Sequence, residues 1–491
     1  MGNRTVTDFF FYRWRYFIGY SVFGVSLASL LIIAGLYIPG ALGDAEIHSA
    51  LVSESLSPSQ LLSLQPDQLL YLPYRLIQAA SIALFGFSSF SIKLPSLIIA
   101  FFSAVGLLIL MNVWFKRNVA IIASIVAVTT SHFLLVAQSG HSGILYVFWA
   151  VSILLTASLI TAHGKTEHFW ILVLCALAAL SLYMPLSIYV LIALVATAIF
   201  HPHVRHIVFR ETPKGVLAAG VGVFLVIGLP LIVGIVKEPS LLLTMFGVPE
   251  SWSDIPANIK DLFQQYGSFY SPSSGANATP IYGLGVVLLV LLGLYQMFTT
   301  KYTTKSYIIS FWLIALVPFV VLNPDFITIT FVPVMLLSAL GVDYLIRSWY
   351  RLFPRNPYAR VFGLLPLGVL VLGIVVSNVD RYVYGYHYDT QVYSDFNFDL
   401  GLVNRTLASY DKKTKVSLVV PEQDIQLYST YALHQTKINQ LSVTTSPAMA
   451  LTQSDVTLVA RDKKPEVSAI PSDILVARSS FDADRFYVYK K

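Results

Sequence analysis

Pro39-Gly40-Ala41-Leu42-Gly43-Asp44-Ala45-Glu46-Ile47-His48-Ser49-Ala50-Leu51 follows the first long apolar run of the chain, residues 16–38. That run is long enough to span a bilayer, which puts Asp44 and Glu46 where hydrocarbon gives way to water. An acid beside a membrane-embedded cavity marks a functional site by default, because burying its charge is costly. Asp44 also suits the N-cap of a helix over 45–56, a role in which both acids are simply solvated at a helix start. His48 continues the pattern at alternate positions. All three side chains line one side of an extended segment, whereas in a helix only Asp44 and His48 share a face. A divalent metal could be held near Asp44, Glu46 and His48, but the pattern does not require one.

Composition sets the class of the whole chain. Its 491 residues are 56% hydrophobic and 12% charged, with a mean hydropathy of +0.69. That charged fraction is about half the usual share in soluble domains, so most of the chain resides in lipid. The pI is near 9.1, yet the basic residues fall between apolar runs and form no single patch. This pattern argues against a nucleic-acid partner and for membrane orientation. The one cysteine, Cys175, lies within an apolar run, so disulfides play no part. No small-residue cleavage site follows the first run, which reads as a retained helix rather than a signal peptide.

Ten further spans are expected at roughly 95–115, 119–137, 145–162, 169–184, 187–200, 216–236, 281–298, 307–322, 327–346 and 361–377. With the first, they make about eleven. Residues 45–56 and 69–87 read as helices lying at the interface; Tyr71, Arg75 and Gln78 in the second are unusual for lipid. The connections alternate in charge. One set holds Lys116, Arg117, Lys165, Arg205, Arg210, Lys214, Lys301, Lys305, Arg347, Arg351, Arg355 and Arg360. The other holds Asp44, Glu46, Glu54, Asp67, Glu238, Glu250, Asp254, Asp261 and Asp325. Basic loops mark the cytoplasm, which places the N-terminus inside and everything after Ser377 outside.

The expected architecture is a polytopic α-helical membrane domain, residues 1–377, with outside segments at 39–94 and 237–279. An extracytoplasmic α/β domain follows over 378–491. In it, strands are expected to begin at Lys415, Asp455 and Asp473, with helices over 398–410 and 426–434. No glycine-rich phosphate loop or nucleophile elbow appears there, which favours a scaffold or acceptor-binding role. His201, His203 and His206 read as a solvated turn at a cytoplasmic helix end rather than a metal tract.

The order of pieces resembles the GT-C superfamily of polytopic glycosyltransferases, most nearly the bacterial branch that includes protein O-mannosyltransferases and the lipid A aminoarabinose transferase. The residues that carry the likeness are Gly43-Asp44-Ala45-Glu46, Leu72-Pro73-Tyr74-Arg75 with Gln78, Leu84-Phe85-Gly86-Phe87-Ser88, and Ile92-Lys93-Leu94-Pro95-Ser96. Ala45 separates two acids that the family usually sets side by side. The segment Gln138-Ser-Gly-His-Ser-Gly stands where the family often has an acid or an arginine.

The resemblance implies inverting transfer of a sugar from a polyprenyl-phosphate carrier to a glycan, lipid or protein acceptor at the outer face of the cell membrane. A carboxylate would take the acceptor proton while positive charge meets the departing lipid phosphate. Asp44 is the expected base, with Glu46 second. Arg75 and Lys93 are the expected phosphate contacts, and Tyr74, Gln78, His48 and His141 complete the candidate set. A flippase or transporter of polyprenyl-linked lipid is the rival reading. It calls for internal repeats and acids near mid-span, which the sequence lacks. A non-catalytic membrane scaffold is the third.

Overall fold

The computed structural model describes residues 14–37, 41–56, 64–161, 166–249, 254–267, 280–300, 303–352, 357–385, 396, 398–476 and 485–491. Its α-helices of seven or more residues begin with α1 (Arg15–Tyr37), α2 (Asp44–Glu54), α3 (Leu72–Phe85) and α4 (Ser89–Trp114). Next come α5 (Arg117–Val128), α6 (Ser131–Gln138), α7 (Ile144–Ile160), α8 (Glu167–Ser181), α9 (Ile188–Phe200), α10 (Lys214–Lys237) and α11 (Ile255–Gly267). The membrane part closes with α12 (Leu284–Thr299), α13 (Thr304–Leu322), α14 (Phe331–Leu352) and α15 (Pro357–Asp380). Each expected span has a helix at its place. Among the described residues five helices are long and apolar enough to cross a bilayer alone, or six if α5 and α6 count as one broken span bent by 61°. The chain is a multi-pass membrane protein.

The bend between α5 and α6 was not expected, and its cause is local. Thr129 and Thr130 turn their hydroxyls back onto the carbonyls of Ile125, Val126 and Ala127, which competes with helix continuation. Thr130 then accepts from the Phe133 N–H and caps the new helix. The redirected α6 delivers Gln138–Gly143 beneath α2. Elsewhere, helix packing is closest where Gly293 on α12 crosses Gly341 on α14. A Cβ on either glycine would collide with a backbone carbonyl of the other helix, Leu337 or Leu289.

The amphipathic helix α3 buries Tyr74, Arg75, Gln78, Ser81 and Ile82 on one side. It leaves Leu84 77% and Phe85 59% exposed on the other. Polar residues inward and apolar residues outward is the pattern of an element lying against lipid, as its sequence suggested.

The C-terminal part adds α16 (Leu400–Ala408), β1 (Lys415–Val419), α17 (Ile425–His434), β2 (Gln440–Thr444), α18 (Pro447–Gln453), β3 (Val456–Ala460), β4 (Asp473–Val476) and β5 (Arg485–Lys490). The sheet order is β2-β1-β3-β5-β4. Strand β1 runs parallel to β2 and β3, while β5 is antiparallel to both β3 and β4. Three strands answer the expectation. β2 and β5 are additional; β2 is an edge with a mixed, half-exposed pattern that gives little sequence signal.

This sheet does not hang free of the membrane part. Leu42 and Phe398 pair through N–H to carbonyl bonds of 2.7 and 3.1 Å. Ile47, Ala50, Ile82, Phe87 and Ile92 share one buried core with Leu400, Val403, Leu407, Leu418, Tyr428 and Tyr431. Each Leu, Ile, Val or Phe side chain among these contributes roughly 1.5–3 kcal/mol on full burial. The seam is therefore a principal support of the acidic segment. The His434–Glu54 pair at 3.2 Å is half-exposed and adds little.

Candidate functional site

The site is built where the start of α2, the inner face of α3, the start of α4 and the Gly140 loop meet. Gly43 caps α2 and Asp44 is its first helical residue, one place later than the capping role expected for Asp44. Glu46 then falls at the third position of the helix. Its carboxylate accepts the Gly43 N–H at 3.0 Å, the half of a capping box that a glutamate supplies. Its other oxygen accepts the Gly140 N–H. Lys93 lies 3.6 Å away and also donates to the Ala41 carbonyl at 3.0 Å. Glu46 is 1% exposed and Lys93 is 7% exposed, so this is a buried, satisfied ion pair.

Asp44 has the opposite environment. In a helix its side chain leaves on a different face from Glu46, and it is exposed, as is His48 one turn on. Among the described residues no hydrogen bond or ion pair occupies its carboxylate. The acids that the sequence placed two residues apart thus divide into a structural one and an accessible one. Among the described residues no cluster of three or more His, Cys, Asp or Glu side chains could hold a metal. Glu46 turns away from Asp44 and His48, so those three do not form a ligand set.

Gln78 is fully buried and saturated. Its amide donates to the Ile92 carbonyl at 3.1 Å and the Gly140 carbonyl at 2.7 Å. Its oxygen accepts from Ser49 at 2.8 Å and Ser53 at 2.7 Å. Two donors and two acceptor positions are all it has. One side chain therefore ties α2, α3, α4 and the Gly140 loop together. Tyr74 is likewise buried, sharing a 2.8 Å bond with Ser96, whose hydroxyl sits 3.4 Å from the His141 carbonyl. These two candidates are brought to the site as its frame.

Arg75 is 5% exposed, with its guanidinium 5.9 Å from the centre of the Tyr71 ring. Tyr71 itself adopts φ 60°, a left-handed conformation that starts α3 sharply after its N–H bonds the Tyr183 carbonyl at 2.8 Å. His141 accepts the Gly143 N–H on Nδ1 at 3.1 Å. Burial lowers its pKa from the ordinary histidine value; Glu46 opposes this and Lys93 reinforces it. A neutral imidazole results at neutral pH.

Sequence reasoning missed the Gly140 backbone. The glycine packs so that a Cβ would meet the Ile92 side chain at 2.7 Å and approach that of Glu46 at 3.5 Å. The available signal was the paired glycines of Ser139-Gly-His-Ser-Gly143, read only as the absence of a charged residue.

Comparison with known proteins bears on this arrangement. The model of the family described as dolichyl-phosphate-mannose-protein mannosyltransferase matches residues 72–233, a third of the chain that includes α3, the start of α4 and the Gly140 loop. The fold is similar to the oligosaccharyltransferase of Archaeoglobus fulgidus in complex with zinc and sulfate, with a TM-score of 0.52 at 13% identity, over 90% of this chain and 68% of that one. The same enzyme tethered to an acceptor peptide gives 0.51 at 12%, over 90% and 65%. ArnT from Cupriavidus metallidurans in the apo state gives 0.49 at 14%, over 96% and 98%. A comparison with curated protein sequences finds no match. The family match thus covers the third of the chain that carries most of the site, and the fold is of the kind seen in that oligosaccharyltransferase.

Proposed function

We propose that the protein transfers a sugar from a polyprenyl-phosphate carrier to a glycan, lipid or protein acceptor at the outer face of the cell membrane, with inversion and with Asp44 as the base. The carrier follows from the dolichyl-phosphate donor named in the matched family's description. The observation that carries the assignment of the base is the division of the two acids. Glu46 is held by two backbone N–H groups and Lys93, whereas Asp44 faces the exterior beside the same framework. A base needs an open lone pair within reach of the acceptor hydroxyl, and Asp44 has one.

Displacement at the anomeric carbon builds charge on the leaving phosphate. Arg75 is the proposed principal contact, since a guanidinium fork matches phosphate oxygens. Lys93 adds positive field, although Glu46 already meets part of its charge. His141 and the exposed His48 are proposed as hydrogen-bond donors at the rim. Lys116, Lys305 and Arg347 lie by the far end of α4, opposite the end that carries Lys93 and the acidic segment. That separation supports a cytoplasmic N-terminus and an external C-terminal domain.

The test is release of polyprenyl phosphate from a panel of polyprenyl-phosphate sugars by the purified protein. Asp44 is exposed at the first position of α2 and Gly43 is the cap, so Asp44→Asn should preserve expression and melting temperature. Turnover should fall on the order of a hundredfold. Full turnover in Asp44→Asn would transfer the role to another group.

A further inference from the structure

A second site lies at the far end of the bundle. Lys93 and Trp114 are separated by 21 residues of the single helix α4. At 1.5 Å per residue this is about 30 Å, the thickness of the hydrocarbon core. There the ends of α4, α7 and α9, the middle of α8, residues 203–208 and the start of α13 enclose a cavity of about 410 Å³, within the range of ligand sites. Its wall is mostly apolar, formed by residues such as Val113, Leu174, Leu194 and Ile308.

Two features say what enters. Val113 and Val195 line the cavity yet are 47% and 59% exposed, so its mouth opens sideways, toward lipid, rather than into the aqueous loops. The polar residues of the wall include Lys305 and His203, with Thr304 beside Lys305 at the first turn of α13. The Lys305 ammonium lies 4.6 Å from the centre of the Phe115 ring, and Lys116 and Arg117 follow that ring in sequence. Asp343 lies near Lys305, but its carboxylate is taken by Arg347 at 2.8 Å and Gln296 at 3.2 Å.

We propose that this cavity binds an anionic phospholipid of the surrounding leaflet, with an acyl chain in the apolar cleft and the phosphate at Lys305. The sideways mouth selects a bilayer amphiphile over a soluble anion. The cation at the water-facing end and the positive N-terminal end of α13 select a negative headgroup. The site is separate from the Asp44 region by the full length of α4, so its occupancy does not depend on the sugar-transfer reading.

The experiment is native mass spectrometry of the detergent-purified full chain titrated with dioleoyl phosphatidylglycerol or dioleoyl phosphatidylcholine. Wild type should retain the anionic lipid about fivefold better, the discrimination expected of one basic residue at a membrane surface. Lys305→Gln should bring the two lipids to equality. Ala198→Trp, which fills the cleft, should lower retention of both. Equal retention by wild type, or unchanged anionic preference in both variants, would overturn the proposal. So would displacement of the bound lipid by inorganic phosphate alone or by undecaprenyl phosphate at equal concentration; the latter would make the cavity a carrier site.

Discussion

At the scale of single residues, the site depends on which charges are neutralised within the chain. Glu46 and Lys93 form a buried pair, so removing one partner leaves an uncompensated charge. Glu46→Gln should destabilise the protein by roughly 3–5 kcal/mol, read as a fall in melting temperature. The double variant Glu46→Gln with Lys93→Met should recover much of that loss. Additive destabilisation would show that the pair is not coupled. Arg75 faces a different test. A contact that strengthens as the glycosidic bond breaks acts on turnover as well as affinity. Arg75→Gln should therefore lower turnover at least tenfold, about 1.4 kcal/mol, and Arg75→Lys should restore only part. Normal kinetics with polyprenyl-phosphate donors in Arg75→Gln would place the phosphate elsewhere. The sequence made both acids of Gly43-Asp44-Ala45-Glu46 visible but not their division of labour. That division depends on the Gly140 N–H and Lys93, groups 94 and 47 positions away from Glu46.

At the scale of elements, most of the helices were legible because long apolar runs have few alternatives in lipid. The break after Val128 was not, since two threonines in an apolar run are common and only their hydroxyl geometry bends the chain. Strands β2 and β5 were obscured by mixed polarity and by position at the terminus. Helix α17 carries a pH-dependent element at its start. Burial raises the pKa of Asp424 to about 6 from 3.8, with the nearby Asp462 and Asp44 adding to the effect. Between those values the folded chain holds a proton that the unfolded chain has released, so stability falls as pH rises through this window. The loss is fully present above about 6. Asp424→Asn should raise the melting temperature at pH 7.5 and shrink the gain seen on acidification to pH 5.5. An unchanged difference between those two pH values would assign the effect to other groups.

At the scale of the whole molecule, charge alternation divides the two ends. Gln423 is exposed on the C-terminal domain and Lys214 is exposed at the opposite end, where α10 begins. With Cys175 replaced, Gln423→Cys should react with an impermeant thiol reagent in intact cells, and Lys214→Cys should react only after permeabilisation. The reverse pattern would invert the proposed orientation. The sequence reading treated the C-terminal residues as an appended domain because nothing in their strands points to a partner. Their partner is an apolar face formed by Leu42, Ile47, Ile82, Phe87 and Ile92 at the other end of the chain.

That seam has a consequence in time. Leu42 leaves the ribosome roughly 350 residues before Phe398, and at about 5–20 residues per second the interval is roughly 20–70 s. Throughout synthesis of the membrane part, the apolar side of α2 lacks the surface that will cover it. Glu46 can reach Lys93 and Gly140 early, since both lie within the first third of the chain. The ledge that holds Asp44, however, closes only when the last segment folds against it. A nascent chain arrested before residue 398 should therefore be inserted in the membrane yet unable to turn over donor, which makes completion of translation the event that switches the site on.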